Sequence, residues 1–109
     1  MVKLTEISLI DSNDMLIEAQ LSDSVYYIGM SWNEEAQQWV MSLRDLNQEV
    51  LISGIAVVPN WPMLYQIRRP DFPPGELIAF TPKFTEIKRR TFMEGKAFLF
   101  YIENDNAAI

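Results

Sequence analysis

Of the side chains able to do acid–base or nucleophilic chemistry, this chain holds fifteen carboxylates and neither a histidine nor a cysteine. The commonest general acid/base at neutral pH is therefore missing. Histidine-dependent serine triads, papain-like sites and Cys/His zinc sites are excluded with it. What remains is carboxylate chemistry of the glycosidase kind, which needs two acids facing one substrate. The nearest neighbours in sequence are Asp11 with Asp14 and Glu34 with Glu35. All four stand among turn-forming residues, where acids are usually solvated, and Glu34-Glu35 reads as a hairpin tip. Neither GxGxxG nor GxxxxGK[ST] occurs, so no phosphate cradle is expected. No catalytic residue, cofactor or metal ligand is assigned.

The basic residues offer a different chemistry. Lys88-Arg89-Arg90 is a short cationic run in an irregular stretch, and the chain as a whole carries −6. A dedicated nucleic-acid binder gains most of its affinity by neutralising phosphate, so an acidic chain without aromatics beside its basic run does not fit that class. Docking onto protein, or a solvated loop, is the remaining reading. Charge is also unevenly placed. Through Glu49 there are two basic residues against nine acidic, a net of −7, and from Val50 onward seven against six, a net of +1. Such asymmetry suits docking between unlike surfaces. Two solvated faces account for it equally.

These residues have to be positioned by strands. The stretch VYYIGMSWNEEAQQWVMSLR alternates Tyr26, Ile28, Met30 and Trp32 with smaller or polar residues, then Trp39, Met41 and Leu43 in the same way. A period of two, interrupted by a polar connection, is a β-hairpin with a tryptophan on each side of its tip. Thr5, Ile7 and Leu9 form an earlier alternating segment, and Met15, Ile17, Ala19 and Leu21 another. Residues 50–58 are apolar on both faces and β-branched, which predicts a central strand, with Gly54 marking a bulge or close backbone approach. Five prolines between residues 59 and 74 exclude a central strand across most of that span. Residues 63–68 suit one helical turn or a short extended piece. Residues 76–81 resume as a strand, 82–96 are basic and irregular, 97–103 are an aromatic strand, and 104–109 are a frayed tail.

Six to seven strands with frequent turn signals predict one all-β domain over residues 1–109, a small antiparallel sandwich or barrel. Its expected core contains Ile28, Met30, Trp39, Met41, Ile55, Val57, Leu77, Phe98 and Phe100. No run is long enough for a membrane helix and no signal peptide is evident at the start of the sequence, so synthesis in the cytosol is expected.

The order SWNEEAQQWVMSLRD, VLISGIAVV, a proline-rich connector, PPGELIAF and AFLFYIE resembles a family of small phage tail proteins typified by the baseplate plug domain of a contractile-tailed cyanophage. The matching positions are Trp32, Trp39, Gly54 to Val58, and Gly75-Glu76-Leu77, and the resemblance covers residues 23–103. It departs at 82–96, where the family's polar Asn-Leu-Gly-like turn is replaced, implying a different neighbour for this loop. The resemblance implies a non-enzymatic virion component of the tail baseplate, touching tube, hub or spike proteins, in a ring of copies or with unlike subunits. A carboxylate-dependent hydrolase and a small cytoplasmic binding module are the alternatives.

For a baseplate part, the expected docking surface is the proline-bounded segment 61–72 with the basic loop 83–90. Trp61, Tyr65 and Phe72 would be anchors, and Arg68 and Arg69 would pair with carboxylates. Lys83, Lys88, Arg89 and Arg90 would add positive charge. Trp61 also fits a second reading, a tryptophan closing one end of the core.

Overall fold

The computed structural model describes residues 2–67, 69–83 and 85–104, with the side chains of Gln66 and Asn104 not described. Arg68 and the tail from 105 to 109 lie outside the described residues, and so do the expectations placed on them.

Seven strands build two antiparallel sheets: β1 (Val2–Ile7), β2 (Asp14–Leu21), β3 (Ser24–Asn33), β4 (Gln38–Arg44), β5 (Val50–Ala56), β6 (Glu76–Phe80) and β7 (Phe98–Asn104). Their order is β2-β3-β4-β5 in one sheet and β1-β7-β6 in the other. The sheets pack as a sandwich, not a closed barrel. Among the described residues no helix is long and apolar enough to cross a membrane.

The hairpin expected from the alternation is β3–β4. Trp32 stands directly opposite Trp39, and Met30 opposite Met41. The two indoles meet edge-on with ring centroids 5.4 Å apart. The inward row Tyr26, Ile28, Met30, Trp39, Met41 and Leu43 is buried, as the period of two requires. β2 joins β3 through Ser22-Asp23, with Leu21 opposite Ser24. Ser22 takes a left-handed φ of 60°, unusual for a side-chain-bearing residue. Its hydroxyl lies 2.8 Å from the Tyr101 phenol and donates to Glu103 at 2.5 Å, which holds the turn to the opposite sheet.

Three expectations need correction. Residues 50–58 are not a central strand: β5 is an edge strand ending at Ala56. Its double-sided apolarity arises because, beyond its contact with the core, it lines a depression of about 410 Å³ shared with Trp61, Met63 and Ile67. The bulge at Gly54 is present, with a register shift opposite β4 and a φ of 76°. Ile55 is half-buried and packs against the core without entering it, while Val57 is buried.

Phe98 and Phe100 are not core residues. Leu99 and Tyr101 point inward instead, each 1% exposed. AFLFYI is apolar at six successive positions, so alternation cannot choose its buried face. The neighbours choose it: Leu99 pairs with Ile7 and Ala79, and Tyr101 with Thr5 and Leu77. Of these two residues and their four partners, all but Thr5 belong to the buried core.

The connection from β5 to β6 crosses between the sheets. Residues 59–63 run along β6, with Asn60 N–H donating to Ala79 O at 2.8 Å and Met63 N–H to Leu77 O at 2.9 Å. A short 3-10 turn follows at Tyr65–Ile67, the helical turn that Pro62 anticipated. Its flanks bury Met63, Leu64 and Phe72.

Candidate functional site: an uncovered sheet face beside an aromatic knob

The expected docking residues divide into two groups. Trp61 and Tyr65 are exposed, at 49% and 64%, and remain available as anchors. Lys83 and Lys88 are also at the surface, Lys88 with Glu86 at 3.0 Å. Phe72, in contrast, is 5% exposed and belongs to the core. Arg69 covers its ring at 4.9 Å and is engaged within the chain. Its guanidinium makes a two-pronged contact with Asp71, Nε to Oδ1 at 3.0 Å and Nη2 to Oδ2 at 2.5 Å, and donates from Nη1 to Leu51 O at 3.1 Å. Arg69 holds the Asp71 carboxyl below the ordinary carboxylate range.

The basic loop is likewise turned inward for two of its charges. Arg90 donates to both oxygens of Asp11 at 3.1 Å, and Arg89 reaches Asp11 at 3.2 Å and Asn13 at 2.5 Å. Hydrogen bonds from Arg90 and then Arg89 lower the Asp11 pKa. Arg89 also lies over the Trp39 ring at 5.5 Å, and Trp39 Nε1 donates to Lys88 O at 3.3 Å. Ile87, Thr91 and Phe92 are buried beneath, so residues 86–92 close the tryptophan end of the sandwich. Arg89 and Arg90 fasten this loop to the Asp11 turn, and Arg69 fastens 69–71 to β5. The sequence shows that these arginines seek carboxylates; only the fold shows that the carboxylates are the chain's own. Glu34 and Glu35 are exposed at the hairpin tip, as expected.

The surface feature missed in sequence is the outer face of the three-stranded sheet. Because Leu99 and Tyr101 face inward, Phe98, Phe100 and Ile102 face out. The register sets Ile78 beside Phe100 and Phe80 beside Phe98 on one flank, and Leu4 beside Ile102 on the other, with Glu76 and Glu6 as the carboxylates on the same face. Phe80 and Phe100 meet with centroids 6.2 Å apart. Leu4 and Phe80 are 59% and 42% exposed. A depression of about 570 Å³ runs over Leu4, Ile78, Phe80, Phe100 and Ile102 to Asn60 and Pro82 at its rim. Trp61, the residue after Asn60, belongs instead to the depression beside β5. A signal for the apolar face existed: in a two-layer sandwich each strand has one solvent face, so a strand apolar on both must show apolar surface.

The class that fold and surface define is a small antiparallel β-sandwich with one sheet face largely apolar and, among the described residues, uncovered. A family model described as Cyanophage baseplate Pam3 plug gp18 matches residues 4–105, and the chain belongs to this family. Membership makes it a relative of a structural component of the phage tail baseplate. The match begins at residue 4 and so takes in most of β1 and all of β2, which the motifs alone did not anchor. No curated protein matches the sequence.

Proposed function

We propose that this protein is a non-catalytic plug subunit of a phage tail baseplate, working by protein–protein contact with tube, hub or spike proteins. The observation that carries the proposal is the family match across residues 4–105. The largely apolar outer face supports it, since exposed apolar patches rimmed by polar residues are a common feature of protein–protein sites. Trp61 and Tyr65 supply large exposed anchors elsewhere on the surface, and Lys83 a surface positive charge. The acidic first half suits a basic surface on an unlike subunit or on the next copy of a ring. Deletion of the gene, with mass spectrometry of the particles, tests the reading. Wild-type tails should contain the chain, and deletion should arrest or destabilise the baseplate. Normal tails lacking the chain would refute it.

A further inference from the structure

Two open sheets present four edges, and the chain treats them differently. The β6 edge is covered by residues 59–63, whose amides bond Leu77 and Ala79. The β5 edge is broken by the Gly54 bulge and capped at Leu51 O by Arg69. β2 carries Asp14, Glu18 and Gln20 with the single apolar Leu16 on its outward row, a mostly polar edge. β1 carries Lys3 and Glu6, but among the described residues no backbone hydrogen bond from another segment covers its open edge. Its six residues pair with β7 in unbroken register, without proline or bulge. Val2 and Leu4 are 63% and 59% exposed, and Leu4 continues the apolar outer face through Ile102. A strand bonded on one side only turns half of its N–H and C=O groups outward.

The charges on β1 point to what covers it. Lys3 stands opposite Glu103 in the ladder, whereas Glu6 stands opposite Phe100. Among the described residues no ion pair reaches Glu6. A second copy of a chain carrying −6 would bring further negative charge to this edge. The geometry points to β1 as the acceptor for an extended strand of a different tail protein, with alternating apolar side chains laid beside Val2 and Leu4 and a basic residue facing Glu6. This rests on the proposed baseplate role and adds to it the site and the chemistry of the partner.

The test uses tails carrying the full chain. Because the chain has no cysteine, Val2→Cys provides a single thiol for a photo-activated cross-linker, with Tyr65→Cys as a second probe. Amide exchange of residues 2–7 is measured in the tail and in the isolated protein. Cross-linking of Val2→Cys to an extended segment of another tail protein, with exchange slowed at least tenfold in the tail, supports the inference. So does about tenfold lower occupancy for Glu6→Lys, folded by circular dichroism. Incorporation of the chain with unprotected β1 amides overturns it while leaving the baseplate role intact. Cross-linking to another copy overturns it in favour of self-assembly, and absence of the chain from tails overturns both readings.

Discussion

The phenol of Tyr101 accepts the Gly75 N–H at 2.7 Å inside the sandwich. Since that bond uses the oxygen as acceptor, the phenolic hydrogen is free to donate to Ser22 Oγ at 2.8 Å, and the Ser22 hydroxyl passes its own hydrogen to Glu103. A left-handed turn, a strand start and the centre of β7 are thereby joined. Replacing Tyr101 by Phe should remove this acceptor from the buried Gly75 amide and the link to Ser22, and cost about 1–3 kcal/mol. Chemical denaturation measures it, and a loss as small as that of an exposed tyrosine, taking Tyr65→Phe as reference, would contradict the assignment.

Gly75 and Gly29 should respond differently to alanine. A Cβ on Gly75 would stand 2.4 Å from the Ile102 carbonyl oxygen and 2.7 Å from the Tyr101 ring. Backbone cannot swing aside, so Gly75→Ala should cost about 1–3 kcal/mol. At Gly29 the clash is with Ser42 Oγ at 2.3 Å, the end of a rotatable side chain. Gly29→Ala should therefore cost less, and the two denaturation midpoints decide the order.

The orientation of β7 gives a third expectation. Leu99→Ala removes a fully buried side chain and should cost about 2–5 kcal/mol. Phe100→Ala removes a larger ring but one on the outer face, and should cost less than about 2 kcal/mol. Equal losses would place both phases of the strand in the core.

Acid should loosen the 86–92 loop. The Asp11 carboxyl is depressed by hydrogen bonds from Arg90 and Arg89. A depressed carboxyl stabilises the fold above its unfolded pKa, about 3.9, and the contribution is lost as pH falls through the lower folded value. Loss of loop protection should therefore begin only below about pH 4. Asp11→Asn should abolish this acid step in amide exchange while leaving protection of β3 unchanged. Because both partners are exposed, raised salt should weaken the contact as well.

How far the sequence reached can be read from particular residues. Tyr26 to Leu43 was legible because a hairpin with one wet face writes its burial as strict alternation, and Trp32 facing Trp39 follows from the tip. The Gly54 bulge and the turn after Pro62 were legible because glycine and proline restrict the backbone locally. The motif order pointed to the plug family, which the match over residues 4–105 shows. Where apolar residues filled both faces, as in β5 and β7, alternation carried no phase. Only pairing with Ile7, Ala79 and Leu77 turned Leu99 and Tyr101 inward and left Phe98 and Phe100 outside. The same limit governed the charges. Sequence supplies Arg69, Arg89 and Arg90 as donors; Asp71 lies only two residues from Arg69, but Asp11 and Asn13 were brought within reach of Arg90 and Arg89 by the fold, from more than seventy residues away. Local chemistry fixes what a residue can do, and long-range packing decides whether that capacity is spent inside the chain or left for a partner.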